Sequence, residues 1–495
     1  MNRPLLRLSV VSMLLLVALV VATTYWQAWA VGGLRDRQDN AIQQVAQFTI
    51  ARGRIIAGNE KTTLAANRRV RVKGQTFFFR RYPQRGLVAQ TVGYSTAGGT
   101  RAGLERSLDD YLTGANTNLS SALGHALDEL GGTVHGNDVV LTIRPVAQRL
   151  ALRLLGDRCG AVVAMDPHSG RIYVMASTPT YDPNLLERRN GYARILETKA
   201  ECPRPAPLLN RATAGLFTPG STFKLVTAAA ALDTGAYTPD SGFVDPGYCV
   251  EYGQRVSNAG NPDQTGPETF GHVTLAQGLE HSINSVFCNV GKKLGAKTIL
   301  EYAKRFGFYS TPPLETPADE RAPSGLYDRG KLYWPKDFNA VDPGRLAFGQ
   351  ERMQATPLQM ALLAATIANG GVVPRPYLVQ RVVAPDGSVV ASTRSQTLGR
   401  AIKPETAREL TEMMKLVVQG GTGTAAQIPG VEVAGKTGTA ETAVSHVYDA
   451  WFVCFAPADH PRVAVAVVVE DQPNGFGGTV AAPIAKAVLE ALLRG

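Results

Sequence analysis

A serine and a lysine one helical turn apart have the types and spacing for catalysis in this 495-residue chain. Ser221 follows a Pro-Gly pair and precedes an alanine-rich run over residues 225–232, which favours a helix. Ser221 is therefore predicted in the first turn of a buried helix, where the helix dipole favours a developing negative charge. Lys224, one turn later on the same face, can take the serine proton. On spacing alone, an N-cap serine beside a surface lysine is the simpler interpretation.

A second polar motif, His281-Ser282-Ile283-Asn284, follows a predicted helix over residues 274–280 and precedes another helix. Ser282 and Asn284 are alternate residues and can face one side of the connecting loop. In isolation, polar capping between two helices explains them better than catalysis does.

A third motif, Lys436-Thr437-Gly438-Thr439, lies in a predicted strand. Strand alternation puts Lys436 and Gly438 on one face and the two threonines on the other. Gly438 would let a substrate backbone lie close to the strand. A cation beside hydroxyls can bind a carboxylate, although a lone lysine here could also blunt a sheet edge.

The three motifs, in this order, resemble those of the penicillin-binding proteins. The chain resembles the monofunctional class B transpeptidases of the penicillin-binding protein A type over nearly its whole length. Segments at 178–184, 348–350, 356–360 and 421–426 also match that family, and they are expected to contribute packing and not chemistry. The resemblance implies that the catalytic residues are Ser221, Lys224, Ser282, Asn284 and Lys436, and that the substrate-binding residues are Thr437, Gly438 and Thr439.

The family resemblance also implies a reaction. Ser221 attacks the penultimate D-alanine of a peptidoglycan stem peptide, and the amine of a neighbouring stem peptide resolves the acyl-enzyme; β-lactams imitate the first step. Ser282 relays a proton between Lys224 and the leaving amine, and Asn284 holds the substrate backbone. Backbone N–H groups of Ser221 and Thr439 form the oxyanion hole. The family places no histidine in catalysis, so His281 is assigned a structural role.

Five strands and a final helix frame the catalytic part of the chain. Two strands come early and three come late, which implies one sheet closed by both ends of the domain. They are predicted over residues 160–165, 171–176, 431–441, 450–455 and 463–470, with the helix over 482–493. This arrangement matches the α+β penicillin-recognising fold, a five-stranded antiparallel sheet flanked by helices with a helical subdomain.

The predicted domains are a cytoplasmic tail (1–7), a transmembrane anchor (8–29), a non-catalytic pedestal or dimerisation-type domain (30–149) and the transpeptidase domain (150–495). An apolar run over residues 8–22 follows Arg3 and Arg7, and Tyr25, Trp26 and Trp29 resemble an interfacial aromatic belt. A cleaved signal peptide ending at residues 28–30 is the alternative. Both interpretations export the rest of the chain.

Export excludes nucleic acid as a partner, so the net charge of +10 is expected to meet membrane phosphates or the cell-wall matrix. Within the pedestal, a helix is predicted over residues 34–48. A basic cluster around residues 77–79 is interpreted as a twisted strand with solvent-facing side chains, in preference to a lipid or nucleic-acid contact. The pedestal is too short for a glycosyltransferase domain. The family resemblance implies a partner, a polytopic membrane glycosyltransferase of the shape, elongation, division and sporulation family.

The chain has five cysteines, an odd number, so at least one is free or pairs with another molecule. None has metal-ligand spacing with the seven histidines, so no metal is predicted, and no cofactor. Cys159 and Cys454 are predicted to be small buried residues in strands. The family resemblance implies a disulfide between Cys249 and Cys288, with two unrelated thiols as the alternative.

Two other classes of function remain as alternatives. A D,D-carboxypeptidase or β-lactamase would resolve the acyl-enzyme with water, but no Glu-x-x-x-Asn loop lies in a suitable place. A non-catalytic β-lactam sensor or scaffold is the other alternative. A sensor would carry several membrane helices, and a scaffold would be expected to have lost one of the three motifs.

Overall fold

The computed structural model describes residues 2–25, 47–115, 135–258, 268–442 and 444–494. Its helices of ten or more residues are α1 (Asn2–Thr24), α2 (Pro145–Leu155), α3 (Lys224–Asp233), α4 (Asn284–Arg305), α5 (Pro357–Ala368), α6 (Pro404–Gln419) and α7 (Gly477–Leu493). The two large sheets are built from β1 (Ile55–Ile56), β2 (Thr63–Val72), β3 (Gln75–Arg81), β4 (Asp138–Leu141), β5 (Gly160–Met165), β6 (Ile172–Thr178), β7 (Val379–Val383), β8 (Val389–Ser392), β9 (Ala434–Glu441), β10 (Val447–Ala456) and β11 (Val463–Pro473).

Shorter elements connect these. The short helices are Ala89–Val92, Gly103–Ser107, Asp109–Thr113, Gly191–Leu196, Arg211–Ala214, Leu275–Glu280 and Pro343–Leu346. The short strands pair as Tyr94–Ser95 with Arg101–Ala102, Gly242–Asp245 with Gly271–Thr274, Tyr248–Glu251 with Gln254–Ser257, Gly325–Asp328 with both Lys331–Leu332 and Met353–Gln354, and Val372–Pro374 with Thr397–Arg400.

Helix α1 is long and apolar enough over Arg7–Thr24 to cross a membrane, and none of that window is buried against the protein. A signal sequence has the same properties, so both sequence interpretations stand. The predicted aromatic belt beyond Tyr25, the small-residue site at 28–30 and nearly all of the helix predicted over 34–48 lie outside the described residues.

The catalytic sheet has the strand order β9-β10-β11-β5-β6, and every neighbouring pair is antiparallel. The prediction of one sheet closed by early and late strands is therefore confirmed. β5 is buried at every residue, because helices cover both faces of the sheet. Helix α5 packs on one face and is apolar around almost its whole circumference, while α2 and α7 pack on the other.

The pedestal sheet has the order β8-β7-β4-β1-β2-β3. β7 and β8 belong to residues 379–392, inside the segment predicted to be purely catalytic. β7 pairs antiparallel with β4, matching Val379 with Leu141 and Val382 with Val139. The N-terminal sheet is thus completed by two strands that lie between α5 and α6 in the chain.

The basic cluster of the pedestal forms the β2–β3 hairpin, and the solvent-facing prediction is right for Arg68, Arg69 and Arg71. It is wrong for Arg80, whose side chain is 1% exposed and whose Nε donates to Glu105 Oε1 at 2.6 Å. Arg52 Nη2 donates to the other Glu105 oxygen at 3.1 Å. A carboxylate buried this completely requires such cationic partners.

The cysteines form two disulfides. Cys249 pairs with Cys288, as the family resemblance implied, and Cys454 is a buried free thiol, as predicted. The prediction for Cys159 is right about its burial, but the residue lies immediately before β5 and is not a free thiol, because it pairs with Cys202. The backbone N–H of Glu201 donates to Asp157 O at 2.8 Å, which brings Cys202 beside Cys159.

We expect the double variant Cys249→Ala/Cys288→Ala to lose about 4 kcal/mol of stability, because the bond closes a loop with a sequence separation of 39 residues. Denaturant unfolding, followed by a probe in the catalytic domain, measures the loss. The matched control is Cys454→Ala, which removes a buried thiol but no crosslink. A midpoint for the double variant no lower than that of the control would contradict the prediction.

Candidate active site

Ser221 lies in a 3₁₀ turn, Gly220–Phe223, which leads directly into α3. The predicted helix is therefore present, but the serine lies in the tighter turn before its first α-helical residue, Lys224. Gly220 has a φ of +51°, and a Cβ there would lie 3.1 Å from the backbone oxygen of Thr439. This close contact holds the serine turn against strand β9.

Gly438 makes the same contact from the side of the strand. A Cβ at Gly438 would lie 2.8 Å from Thr222 Cγ2 and 2.9 Å from the oxygen of Pro219. Glycine is therefore required at position 438 because β9 and the serine turn approach each other closely there. Trp451 on β10 supports the turn from below, since its Nε1 donates to Thr218 O at 3.0 Å.

Lys224 is fully buried, and its amine lies among acceptors from the second motif. Nζ donates to Ser282 O at 2.6 Å and to Asn284 Oδ1 at 2.8 Å, and it lies 3.3 Å from Ser282 Oγ. The rings of Phe287 and Phe348 lie nearby and exclude water. The hydrogen bonds to Ser282 O and Asn284 Oδ1 use both N–H groups of a neutral amine. The lone pair of that amine is then free to accept a proton.

Ser282 takes a left-handed conformation with a φ of +58°, which is uncommon outside glycine and asparagine. It lies between the helix Leu275–Glu280, which is capped by Thr274, and α4. Asn284 begins α4, and its Nδ2 donates to Ser257 O at 3.0 Å. Neither polar residue caps a helix, so the capping interpretation does not hold; both side chains lie at Lys224 instead.

Lys436 extends from β9 to the same hydroxyl. Its Nζ donates to Ser282 Oγ at 2.8 Å and to Thr437 O at 3.0 Å, and the side chain is fully buried. Ser282 Oγ therefore lies between the amines of two lysines from different elements. Thr439 lies on the opposite face of β9, where its Oγ1 accepts from the backbone N–H of Gly477 at 3.3 Å.

Burial is the main cause of the lowered proton affinity of both amines. Burial is the main reason that the pKa of Lys224 lies well below the ordinary lysine value, and the nearby charge of Lys436 lowers this pKa further. Burial also lowers the pKa of Lys436, to about 7. A neutral Lys224 beside a Lys436 that titrates near neutrality can accept a proton while Lys436 carries the positive charge.

Sequence reasoning missed Thr422, whose Oγ1 lies 2.6 Å from Thr437 Oγ1. The segment 421–426 had been assigned to packing, and Gly421 does pack closely: a Cβ there would lie 2.3 Å from the oxygen of Glu280. The glycines flanking Thr422 were the signal that its backbone approaches other elements closely. The hydroxyl contact itself has no sequence signature.

A buried carboxylate fixes the start of α4 and was also missed. Asp245 accepts hydrogen bonds from Ser285 Oγ at 2.5 Å, from Asn258 Nδ2 and from the backbone of Phe270. Burial opposes its ionisation, but these hydrogen bonds outweigh burial and lower its pKa. The disulfide at Cys288 holds the same helix one turn later.

One cluster in the described part of the chain has metal-ligand spacing, formed by Cys159, Cys202 and Glu470. Both of its sulfur atoms are joined in a disulfide, and Glu470 pairs with Arg211 at 2.5 Å. These groups are thus committed to other contacts and make a poor ligand set.

Comparison with known families agrees with this geometry. The model described as the penicillin-binding protein transpeptidase domain matches residues 160–490, well over half of the chain. The chain belongs to this family. The model for the penicillin-binding protein A dimerisation domain matches residues 52–139, so the predicted class B, penicillin-binding protein A type is confirmed.

Relatives of the family are similar over the full length. The peptidoglycan D,D-transpeptidase PbpA of Mycobacterium tuberculosis H37Rv is 35% identical, with 100% of both chains covered. PbpA of Mycolicibacterium smegmatis is 34% identical, covering 100% of this chain and 99% of the relative. The enzyme class predicted from the three motifs, a serine D,D-transpeptidase, is confirmed.

Solved structures of the family share the fold. Penicillin-binding protein A from M. tuberculosis, as a ceftriaxone acyl-enzyme complex, matches with a TM-score of 0.79 and 33% identity over 91% of this chain and 100% of that one. The D,D-transpeptidase domain from Eggerthella lenta matches with a TM-score of 0.74 and 33% identity, over 90% and 99%. The predicted α+β penicillin-recognising fold is confirmed.

The lowered pKa of Lys436 predicts how stability depends on pH. Between its folded pKa of about 7 and its unfolded pKa of about 10.4, the unfolded chain binds the extra proton. The contribution of Lys436 to stability therefore rises with pH from about 7 to about 10 and is constant below about 7. We expect Lys436→Met to lose this rise, measured as the difference in melting temperature from the wild type between pH 7 and 9.

Lys415→Met is the matched control. Ion pairs with Glu412 and Glu432 raise the pKa of Lys415, so its contribution is complete below its unfolded pKa and is lost only above that value. The difference in melting temperature between Lys415→Met and the wild type should therefore stay constant between pH 7 and 9. If the difference for Lys436→Met also stays constant, the Lys436 amine is not desolvated in the fold.

Proposed function

We propose that Ser221, Lys224, Ser282 and Lys436 are the acylation machinery with which this peptidoglycan D,D-transpeptidase crosslinks stem peptides. The observation that carries the assignment is the Ser282 hydroxyl held between two buried amines beside the serine turn. A lysine pair that was only structural would have no reason to share a hydroxyl in a water-poor site, where burying each charge costs free energy.

The first step is acylation. Neutral Lys224 takes the Ser221 proton as Oγ attacks the carbonyl carbon of the penultimate D-alanine. The backbone N–H groups of Ser221 and Thr439 face the developing oxyanion, in keeping with the contact between the serine turn and β9. The C–N bond then breaks, and the proton passes from Lys224 through Ser282 to the leaving amine of D-alanine.

The second step transfers the acyl group. The amine of a neighbouring stem peptide attacks the carbonyl carbon of the acyl-serine and loses a proton to Lys224. The ester C–O bond to Ser221 then breaks, and Lys224 returns the proton to Ser221 Oγ. A β-lactam acylates Ser221 by opening its ring, and no leaving group departs. The resulting ester is resolved slowly.

The carboxylate of the substrate or the β-lactam binds at β9. Lys436 supplies the charge, and the hydroxyl of Thr437, whose Oγ1 lies 3.5 Å from Lys436 Nζ, flanks the carboxylate. Thr439, on the other face of the strand, binds the substrate through its backbone N–H. An arriving carboxylate stabilises the protonated form of Lys436, whose pKa is already near neutrality. The second N–H of Asn284 Nδ2 has no acceptor among the described residues, so it is available for the substrate backbone.

Helix α1 anchors the enzyme, with the N-terminus cytoplasmic and the catalytic domain outside the cell. Two disulfides in the described chain support an oxidising compartment. The partner is a polytopic membrane glycosyltransferase of the shape, elongation, division and sporulation family, an assignment that rests on family resemblance alone.

We expect Ser221→Ala to abolish covalent labelling by a fluorescent penicillin, because no other group takes the place of its oxygen. The variant should keep its melting temperature, since it loses a half-buried hydroxyl that has no hydrogen-bond partner among the described residues. Lys224→Ala should slow labelling by about 10²–10⁴-fold, the usual contribution of a general base. Ser388→Ala, a surface serine variant, is the control. Stoichiometric labelling of Ser221→Ala would place the nucleophile elsewhere.

Lys436→Met tests the carboxylate site. The methionine keeps the volume of the side chain and removes the charge, so acylation by a carboxylate-bearing β-lactam should slow by about 10–100-fold at pH 7. Stopped-flow acylation kinetics measure the rate, and Lys415→Met should match the wild type. Unchanged kinetics would assign Lys436 to structure rather than to anion binding.

A further inference from the structure

The β2–β3 hairpin projects from the edge of the pedestal sheet. β1 pairs with β2 only at Thr63 and Ala65, whereas β2 and β3 pair with each other from Ala66 to the turn at Lys73-Gly74. Beyond Ala66, no third strand among the described residues pairs with the β2–β3 hairpin. The hairpin is exposed over its tip, from Arg71 to Gln75, whereas Phe78 nearer its base is buried.

The hairpin is basic on both faces and contains no acidic residue. Arg68 lies over the ring of Phe79 on one face, and Arg69 lies over the ring of Phe78 on the other. The exposed cations are Arg68, Arg69, Arg71, Lys73 and Arg81.

None of these five cations has a carboxylate within ion-pair distance among the described residues, although the neighbouring arginines Arg52, Arg54 and Arg101 each have at least one. Like charges this close repel each other, so the fold alone gains nothing from them. An external anion would relieve the repulsion.

Apolar side chains lie between the cations. Val70, Phe77 and Phe79 share the face of Arg68 and are only partly buried, and Val72 at the tip is 50% exposed. Cations that flank short apolar and aromatic groups suit the headgroup region of a bilayer, where phosphates and the edge of the hydrocarbon are both within reach.

The chain enters the folded pedestal beside this hairpin. Phe48 O accepts from the N–H of Phe78 at 2.7 Å, and the ring of Phe48 stacks on Phe79 at 5.2 Å. Helix α1 ends at Thr24, so residues 25–47 connect it to this point. The hairpin is therefore the part of the pedestal sheet tied most directly to the membrane helix, and tethering raises the effective concentration of even a weak contact.

We propose that the β2–β3 hairpin docks on the anionic lipid headgroups of the membrane that holds α1. The inference rests on the anchoring proposed above. Attraction between the hairpin and the bilayer acts within a Debye length, roughly 8 Å at physiological ionic strength, so docking fixes the orientation of the pedestal close to the surface.

A protein strand added to the edge of β3 beyond the Phe48 contact is a different occupant, and the charges argue against it. Rows of cations are a means by which sheet edges avoid pairing with other strands. Lipid phosphates, in contrast, need only positive charge and access, which the hairpin offers on both faces.

The test uses the full chain in nanodiscs of phosphatidylcholine alone, or with about a third phosphatidylglycerol. A polarity-sensitive dye is attached at Val72→Cys; Cys454 is buried and the other cysteines are paired, so labelling is selective. We expect a blue shift and about a twofold rise in emission in the anionic discs only, reversed by high salt.

The variant Arg68→Gln, Arg69→Gln, Arg71→Gln and Lys73→Gln should lose the shift. The Arg68→Lys, Arg69→Lys and Arg71→Lys variant should keep it, because phosphates need charge and not a guanidinium. A dye at Lys331→Cys is the matched control, since Lys331 lies on a second exposed hairpin with the same type of turn, at Arg329-Gly330. Penicillin labelling checks that each variant folds.

Equal emission in both discs, or a shift that survives the glutamine variant, would overturn the proposal. A shift that follows the number of protein copies per disc instead of lipid charge would overturn it in favour of self-association. Failure of the chain to enter either disc would overturn the anchor and the docking together. None of these results would touch the acylation chemistry, which penicillin labelling reports separately.

Discussion

The contact on which the active site depends is the Ser282 hydroxyl placed between the amines of Lys224 and Lys436. It joins three separate elements: the helix after the serine turn, the loop before α4, and strand β9. Because both amines are buried, water cannot replace the hydroxyl, and burial lowers the pKa of both lysines, while the charge of Lys436 lowers the pKa of Lys224 further. The site is therefore a single electrostatic unit, in which a change at any of the three elements alters the other two.

The surroundings serve to hold this unit in place. Gly220 and Gly438 bring the serine turn and β9 within backbone contact, so the proposed nucleophile and the proposed carboxylate site share one rigid edge. The Asp245 hydrogen bonds and the Cys249–Cys288 disulfide hold α4, and with it Ser282 and Asn284. Left-handed backbone at Ser282 is tolerated because these contacts determine it from both sides.

Much of the site could be predicted from sequence, because its residues lie in short motifs whose spacing follows helix and strand geometry. Ser221 and Lys224 are one turn apart, and Lys436 and Gly438 alternate on one strand. What could not be predicted depends on contacts distant in the chain: the burial of Arg80 against Glu105, the bond from Cys159 to Cys202, and the hydroxyl pair of Thr422 and Thr437. In each pair, the sequence around one residue contains no pattern that identifies its distant contact.

The pairing of β7 with β4 has a consequence for how this protein can vary. After α5 the chain leaves the catalytic domain, completes the pedestal sheet with residues 379–392, and returns to form α6, which packs against β9. A fragment that began at residue 150 would leave the edge of β7 without its partner, and a pedestal cut off at the same residue would lose two of its six strands. The pedestal and the catalytic domain are thus interlocked. Exchanging the pedestal between relatives would require exchanging residues 379–392 with it.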